Sequence, residues 1–465
     1  MGAALRDAGS FRDPSGTVMV LNDRVFRTVM PLAAADYEST RRVGILEELM
    51  HDGLVIRERL VSKALLGVVG ERASYVVEHP KLPFISYPYE WCFHALKDAA
   101  LLHLDVHLRC LERGVTLSDA SAYNIQFRGP APVFIDTLSF RPYREGEIWT
   151  AHRQFCDQFL NPLLLRALLG IPHNAWYRGG LEGIPVEHLA SALPLRAKLS
   201  WPVLQHVVLQ AMFEKMSTGP GERPAKEVAK VHLPKMAFER MLRGLRDWIR
   251  RLQPKGAEKT VWRNYAESNS YSSDEARRKA AFVRQFAAAK RPAVLWDLGC
   301  NSGEYSKAAL EAGAGLCIGF DFDAGALERA YLRAKAEGLN LLPLHLDAAN
   351  PSPNQGWGQG ERKGMRERAP ADAVVALAFV HHLAVAKNVP LEFVVDWIVG
   401  MARSGVIEFV QKHDPMVHEL LRLREDIFAD YSEESFAHAL RARARIHRVE
   451  EVSATGRKLY WFERA

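Results

Sequence analysis

The sequence is poor in cysteine and in long apolar runs. Its five cysteines form no CxxC pair and no even-numbered disulfide framework, which favours a reducing, cytoplasmic environment. The most apolar stretch, residues 159–172, is broken by Pro162, Arg166 and Gly170, so it is too short to cross a bilayer. The N-terminus lacks the basic segment and apolar run of a signal peptide. We therefore expect a cytoplasmic protein without a membrane partner.

The sequence also lacks a large excess of positive or negative charge. Lys and Arg total 61 against 55 Asp and Glu, a net charge of +6, and 48% of the residues are hydrophobic. This composition is ordinary for a globular protein with a buried core. The small basic excess, together with the arginine-rich residues 361–368, leaves RNA open as a partner without requiring it. The sequence does not indicate an oligomeric state.

Shifts in composition divide the chain into three parts. Residues 1–150 mix short apolar runs with helical patterns and predict an α+β region, in which residues 89–114 form a long helix. Residues 151–257 predict a helical extension and a linker. Residues 258–465 alternate continuous apolar runs with helical segments, which is typical of a parallel sheet covered on both faces. Within this third part, residues 350–370 are poor in apolar residues and predict an exposed, mobile insertion.

The stretch VLWDLGCNSGEYS, residues 294–306, carries the clearest chemical signal. A strand ends at Asp297, and a turn containing Gly299, Asn301 and Gly303 leads into a helix. Parallel sheets bind ligands beyond the carboxyl ends of their strands, and glycines there let a ligand approach the backbone. The third glycine of a dinucleotide-binding turn is missing, and Glu304 stands where a pyrophosphate would lie. A ligand with a cationic or zwitterionic part is therefore favoured, with Asp297 facing its ammonium group.

This D-x-G-x-N-x-G turn resembles motif I of the class I S-adenosylmethionine (SAM)-dependent methyltransferases, most of which have glycine in place of Asn301. GFDFD places Asp321 and Phe322 at the end of the second strand, and LHLDAA places Asp347 and Ala348 at the end of the third. The resemblance implies a Rossmann-like, seven-stranded domain over residues 258–465 that binds SAM. Asp321 would then bind the ribose and Asp347 the adenine, although Asp347 is also suited to a local turn before Asn350.

The resemblance extends to both ends of this region. The final residues VEEVSATGRKLYWFERA resemble the closing β-hairpin of the family, with Thr455-Gly456 at the turn. Ser272 and Glu275 form a capping box that predicts a helix start. The resemblance implies that this helix, with Tyr265 and Tyr271, covers the cofactor. The chain is also similar to methyltransferase-like nodulation proteins of rhizobia in its HHL sequence and in residues 407–415.

The fourth strand of this region predicts the chemistry of transfer. It runs into Phe379-Val380-His381-His382, where N-methylases of nucleobases or glutamine carry an Asn/Asp-Pro-Pro motif. A histidine can take a proton from a hydroxyl or an acidic carbon, so His381 or His382 is the predicted base for O- or C-methylation of a small molecule. Either histidine could instead bond the backbone at the strand end. Adjacent histidines on an extended strand point to opposite faces, so no metal site is predicted there.

Further polar residues follow the fifth strand, and they leave a substrate-side role open. They are Glu408, Lys412, His413 and Asp414, for which a solvated loop is the favoured interpretation.

A second, weaker pattern lies in the N-terminal region. Asp119, Asn124 five residues later and Asp136 at the end of an apolar strand resemble the catalytic loop and metal-binding acid of protein-kinase-like folds. The resemblance implies a kinase-like fold in which the strand cation would be Arg27 instead of lysine. Because the residues around both acids depart from the family pattern, an inactive module is favoured. Three functions stay open: a SAM-dependent methyltransferase, a binding protein with a cofactor-like pocket, and a phosphotransferase.

Overall fold

The computed structural model describes residues 4–212, 232–256, 273–423 and 425–464. The strands of these ranges are β1 (Leu5–Arg6), β2 (Val18–Leu21), β3 (Arg24–Val29), β4 (Arg59–Val61), β5 (Tyr75–His79), β6 (Val115–Leu117), β7 (Ile125–Arg128), β8 (Ala131–Phe134), β9 (Phe140–Pro142), β10 (Val294–Leu298), β11 (Leu316–Asp321), β12 (Leu341–His345), β13 (Ala371–Ala376), β14 (Ala402–Phe409), β15 (Arg445–Glu451) and β16 (Lys458–Glu463).

Helices of the same ranges separate these strands. The α-helices are Pro31–Val43, Ile45–His51, Val68–Glu71, Phe93–Glu112, His152–Phe155, Asn161–Leu164, Asn174–Gly179, Val186–Ala192, Leu195–Lys198, Trp201–Val203, Lys235–Arg251, Ser273–Lys290, Glu304–Glu311, Ala324–Glu337, Met365–Arg368, Val380–Ala384, Leu391–Gly400, Pro415–Leu421 and Glu433–Arg441. The π-helical segments are Cys156–Leu160, Leu165–Leu169 and Leu204–Val208. No helix of the described ranges is both long and apolar enough to span a bilayer.

An antiparallel five-stranded sheet forms the N-terminal part, in the order β1-β2-β3-β5-β4. Asn22 and Asp23 join β2 to β3 with φ angles of 48° and 63°, which suits a two-residue hairpin turn because Asn and Asp tolerate the left-handed region. The predicted long helix is present as Phe93–Glu112. It ends before Gly114, whose φ of 71° reverses the chain. These elements agree with the α+β organisation expected of this region.

The C-terminal sheet has seven strands in the order β12-β11-β10-β13-β14-β16-β15. The first five are parallel, and β16 runs antiparallel between β14 and β15. The apolar strands are buried along almost their whole length, as strands covered on both faces must be. Gly456, with a φ of 76°, lies in the turn between β15 and β16. The expected α/β fold is confirmed. Residues 257–272 lie outside the described ranges.

Polar contacts between two helices link the N-terminal and C-terminal parts. Glu328 accepts hydrogen bonds from the backbone N–H groups of Phe93 at 2.6 Å and His94 at 3.2 Å. It thereby caps the helix Phe93–Glu112, which has no side-chain cap of its own. Tyr331 donates to Asp98 at 2.7 Å. One hydrophobic cluster, which contains both Trp91 and Trp296, runs through both halves of the chain.

The expectation that residues 350–370 form an exposed, mobile insertion is wrong. This segment contains the short helix Met365–Arg368, and Met365 is buried. Arg368 forms a buried ion pair with Glu90, and the guanidinium of Arg362 lies 4.1 Å from the centre of the Tyr123 ring. These inward contacts fold the segment against the N-terminal part, despite its polar composition. They also place two of its arginines against side chains of the N-terminal part.

Candidate functional site

A cavity of about 1780 Å³ lies beyond the carboxyl ends of the parallel strands. Strand order reverses between β10 and β13, and such a switch point is where open α/β sheets bind ligands. Eight of the predicted site residues border the cavity: Gly299, Asn301, Asp321, Phe322, Asp347, Ala348, His381 and His382. Asp297 and Gly303 lie behind this wall, and Tyr265 and Tyr271 lie outside the described residues.

The glycine turn after β10 has the backbone shape that its sequence predicts. Gly299, Asn301 and Gly303 have φ angles of 78°, 48° and 80°. Asparagine is one of the few side chains that tolerate this left-handed region, so it can replace the usual glycine at position 301. A Cβ on Gly299 would lie 3.2 Å from the ring of Phe379, and one on Gly303 would lie 2.8 Å from Leu341. Side chains at these two positions would therefore crowd the turn.

Asp321 at the end of β11 holds this turn in place. Its carboxylate accepts hydrogen bonds from the backbone N–H groups of Asn301 and Asp323, both at 2.9 Å. Burial raises the pKa of Asp321 to about 6, against the effect of these hydrogen bonds. Asp323 caps the next helix through Gly325 and Ala326. A buried carboxylate at the cavity wall is thus available to accept hydrogen bonds from hydroxyl groups of a ligand.

Asp297 is buried and forms a hydrogen bond with a neighbouring side chain of the same domain. Its carboxylate accepts a hydrogen bond from the hydroxyl of Ser306 at 2.6 Å. Burial raises the pKa of Asp297 to about 6. The neighbouring Glu304 pairs with Arg333 at 2.6 Å, so its negative charge is partly neutralised. The charge of Glu304 is therefore a weaker argument against a pyrophosphate than the sequence suggested.

Replacing Asp297 by asparagine is expected to stabilise the ligand-free protein above pH 6. The folded-state pKa of about 6 exceeds the ordinary 3.8, so ionisation of this group opposes folding as the pH rises between these values. The gain should be near zero at pH 4 and reach at most about 3 kcal/mol above pH 6. Urea unfolding of both proteins at pH 4, 5, 6 and 7.5 measures it. An equal gain at every pH would contradict the proposed cause.

Asp347 and Phe322 form the far wall of the cavity. Asp347 is half-buried and accepts a hydrogen bond from the backbone of Ala349 at 3.0 Å, the local turn that the sequence allowed. One carboxylate oxygen accepts this bond, so the turn does not prevent Asp347 from binding a ligand amino group. The Phe322 side chain is 52% exposed beside Asp321, which offers an apolar surface to a flat ring.

His381 and His382 do not lie on an extended strand as predicted. Strand β13 ends at Ala376, and both histidines belong to the short helix Val380–Ala384, with ring centres 4.2 Å apart. The expectation that their rings point to opposite faces is wrong for this reason. Burial lowers the pKa of His382 to about 4, and that of the fully buried His381 lies well below its ordinary value. Both imidazoles are uncharged at neutral pH.

A buried ion network lies beside the histidine pair, and the sequence did not reveal it. Lys279 contacts Glu275 at 3.0 Å and Glu408 at 2.7 Å. Arg457 donates two hydrogen bonds to Asp414, at 2.7 and 2.8 Å, and lies 3.9 Å from Glu408. The solvated loop favoured for Glu408 and Asp414 is therefore wrong, since both side chains are fully buried. The i, i+4 spacing of Glu275 and Lys279 was the available signal.

The remaining residues of that segment behave as the sequence indicated. Lys412 pairs with Asp426 at 2.8 Å, and His413 is exposed.

The network also fixes the backbone at the cavity. Glu408 accepts a hydrogen bond at 2.8 Å from the N–H of Ala378, which has a φ of 48°. A left-handed conformation is costly for alanine and is retained where the surroundings enforce it, often at functional sites. Ala378 borders the cavity between Leu377 and Phe379. The network thus shapes the cavity floor next to the histidines.

The N-terminal acids form a separate cluster. Arg27 of β3 pairs with Asp136 at 2.5 Å and with Asp13 at 2.9 Å. Asp136 also accepts a hydrogen bond from the Ser139 hydroxyl at 2.6 Å. Burial raises the pKa of its carboxyl group, but Arg27 and the hydrogen bonds from Ser139 and Leu138 together outweigh burial, so the pKa is lowered. Asn124 donates to Asp119 at 2.8 Å. The three residues predicted from the kinase-like pattern are thus already bonded to neighbouring side chains.

Fold and cavity together define an α/β protein with a large cavity at the switch point of a mainly parallel sheet, the place where such sheets bind ligands. Nodulation protein NoeA of Rhizobium meliloti (strain 1021) is 45% identical over 460 residues, which cover 99% of this chain and 96% of that protein. The chain belongs to the NoeA family of nodulation proteins. This confirms the predicted similarity to rhizobial nodulation proteins. No protein-family model matches the chain.

Three solved structures have a more distant likeness. The bifunctional kinase-methyltransferase WbdD is 14% identical with a TM-score of 0.31, over 43% of this chain and 42% of WbdD. N-methyltransferase NodS from Bradyrhizobium japonicum WM9 is 12% identical with a TM-score of 0.31, over 42% of this chain and 98% of NodS. Magnesium protoporphyrin IX methyltransferase from Synechocystis PCC 6803 is 16% identical with a TM-score of 0.30, over 44% and 93% of the chains. Because these likenesses are so distant, the function has to be argued from the residues of the site.

Proposed function

We propose that the protein is a SAM-dependent methyltransferase that acts on an oxygen or carbon nucleophile of a small molecule. The observation that carries this proposal is Asp321, a buried carboxylate that faces the cavity and holds the left-handed turn at Asn301. The strand order supports it, because a doubly wound dinucleotide-binding sheet has the parallel order 3-2-1-4-5-6. Here an antiparallel β16 enters between β14 and β15, as the closing hairpin of the methyltransferase resemblance implies.

The residues of the cavity fit such a cofactor. Asp321 would accept hydrogen bonds from both ribose hydroxyls, and Asp347 would accept one from the adenine amino group. Phe322 would pack against the adenine ring, and the turn at Gly299 would let the rest of the cofactor approach the backbone. Asp297 does not border the cavity, so its charge would act on the ammonium group only across the turn. When bound, SAM supplies an electrophilic methyl group.

His381 or His382 would receive the proton that the acceptor loses. Because burial holds the pKa of His382 at about 4, it is a weak base at neutral pH. A weak base removes a proton efficiently only from an acidic group, so a phenol or an enol suits the site better than an aliphatic alcohol. Since the relative from Rhizobium meliloti is named a nodulation protein, we propose that the acceptor belongs to that process.

The N-terminal cluster does not favour phosphotransfer. A kinase needs its second acid and its asparagine free to hold Mg²⁺. Asp136 is instead paired with Arg27, and Asn124 bonds Asp119. Arginine keeps its charge at all physiological pH values and does not release the carboxylate by deprotonation. We propose that this region serves a structural or binding role without phosphoryl transfer.

Calorimetry on the full-length protein tests these assignments. We expect SAM and S-adenosylhomocysteine to bind once per chain, and NAD and Mg·ATP to give no binding heat. Binding of NAD at the cavity would overturn the cofactor assignment. Mg·ATP binding that is lost in Asp136→Ala would overturn the inactive N-terminal site. Methylated metabolites, detected by mass spectrometry in cells expressing the protein, would identify the acceptor; cofactor binding without any such product would favour a recognition function.

A further inference from the structure

Three side chains with soft or nitrogen donor atoms meet in the helical part of the chain, away from the cavity. The imidazole Nε2 of His152 lies 3.1 Å from Nδ1 of His206 and 3.6 Å from the sulfur of Cys156. All three donor atoms lie within 4.8 Å of one another. Cys156 and His206 are buried, and His152 is half-buried. None of the three borders the cavity.

Local structure directs the three donor atoms to one point. His152 and Cys156 are four residues apart where the helix His152–Phe155 passes into the π-helical segment Cys156–Leu160, so they share one face. His206 lies in a second π-helical segment, Leu204–Val208. Short π-helical segments are frequent at functional sites. The His206 ring also stacks on Trp248, with centres 6.0 Å apart, which restricts its rotation.

A glutamine orients the first histidine. The side-chain amide of Gln210 lies 2.5 Å from Nδ1 of His152, and its oxygen has no hydrogen-bond partner among the described residues. The nitrogen and oxygen of an amide are interchangeable by a half rotation. With the oxygen facing Nδ1, Gln210 accepts the Nδ1–H hydrogen and leaves the Nε2 lone pair of His152 directed at His206 and Cys156. A second residue that fixes the tautomer in this way is typical of metal-binding histidines.

We propose that His152, Cys156 and His206 bind a zinc ion, with Gln210 as the residue that orients His152. Bonds of about 2.0–2.1 Å to nitrogen and about 2.3 Å to sulfur at tetrahedral angles separate two nitrogens by about 3.4 Å and nitrogen from sulfur by about 3.5 Å. The separation of 3.1 Å between the two imidazole nitrogens and that of 3.6 Å between His152 and the Cys156 sulfur are close to these values, and the third pair lies within 4.8 Å. Zinc accepts this mixture of thiolate and imidazole, and the fourth position is left to water. The ion would link the segment from His152 to the segment around His206.

The alternative is a hydrogen bond between two imidazoles beside an inert thiol. In that arrangement His206 donates from Nδ1 to Nε2 of His152, and no metal is needed. Cobalt(II) distinguishes the two because it replaces zinc and absorbs light: a tetrahedral site gives visible bands, and a bound thiolate adds a near-ultraviolet charge-transfer band. Metal binding also releases the thiol proton, whereas the hydrogen-bonded arrangement releases none.

The test uses the full-length protein, stripped of metal and titrated with cobalt(II) and then with zinc. We expect one cobalt per chain with both sets of bands, and loss of both when zinc is added. Cys156→Ser should lose the charge-transfer band and keep visible bands, and His206→Ala should weaken cobalt binding at least tenfold. Cys110→Ser changes another buried cysteine and should leave every band intact.

Two results would overturn the zinc site. One is the absence of any stoichiometric cobalt band in the unchanged protein. The other is a charge-transfer band that survives in Cys156→Ser. If a variant does not fold, the melting temperature of the unchanged protein still tests the zinc site. It should rise when zinc is added and fall again when a chelator is added. A melting temperature that does not change with zinc would also contradict the proposal. Neither readout depends on methyl transfer, so the zinc site and the proposed enzyme activity succeed or fail separately.

Discussion

Replacing Asp321 by alanine is expected to lower the affinity for SAM and S-adenosylhomocysteine by about 100-fold or more. A hydrogen bond to a charged group contributes about 1.5–3 kcal/mol, and this carboxylate would accept two from the ribose. The variant also releases the N–H of Asn301, so the turn at Gly299 loses its anchor. Calorimetry with both ligands measures the effect, and Asp321→Asn, which keeps the shape of the side chain, separates the loss of charge from the loss of packing.

Asp372 provides the matched control. Its carboxylate also accepts a backbone hydrogen bond, from Val294 at 2.8 Å, but at the start of β10 and thus at the opposite edge of the same sheet. Asp372→Ala should change the dissociation constant for either ligand by less than twofold. Unchanged affinity in both Asp321 variants would show that the ribose is not bound at the end of β11, and the proposed cofactor site would have to be abandoned.

Arg457→Met is expected to destabilise the protein by about 3–5 kcal/mol, because it leaves a buried carboxylate without its partner. Arg457 bonds Asp414 through two nitrogens, and both side chains are almost completely buried. Removing the cation also takes away a positive charge that lies 3.8 Å from Glu275 and 3.9 Å from Glu408. Urea unfolding followed by circular dichroism measures the loss of free energy of unfolding.

The neighbouring residue makes a good comparison. Lys458 pairs with Glu433 at 2.8 Å, yet both side chains are about 30% exposed. Exposed pairs contribute about 0–1 kcal/mol, so Lys458→Met should have a small effect. If Arg457→Met lowered the free energy of unfolding as little as Lys458→Met, the network would contribute no more to stability than an exposed ion pair. Its proposed role in holding Ala378 and the histidine helix would then be lost.

Elements that follow from a local sequence pattern were predicted well. The strands β10, β11 and β12 follow from continuous apolar runs, and the turn after β10 follows from its two glycines, because only such residues adopt its left-handed backbone without cost. Asp321, the acid that ends β11, was also predicted from the local pattern, because it directly follows an apolar run. Its place is fixed by the strand that carries it.

Contacts between residues that lie far apart in the chain could not be predicted from the sequence. The ion network joins Glu275 to Arg457, and nothing in either segment indicates the other. The histidine pair was assigned to an extended strand because the apolar run continues through Val380, whereas the chain turns at Ala378, whose left-handed backbone is bonded to Glu408. The cluster of His152, Cys156 and His206 is likewise assembled by two helical segments that only the tertiary structure brings together.

Glu328 has a consequence for how the protein can evolve. The helix that carries it starts immediately after Asp323, two residues beyond the carboxylate proposed to hold the ribose, and its side chain completes the first turn of the long N-terminal helix. Exchanging either half for a domain that lacks these groups would therefore leave the two backbone amides, or the acid, without a partner at this contact.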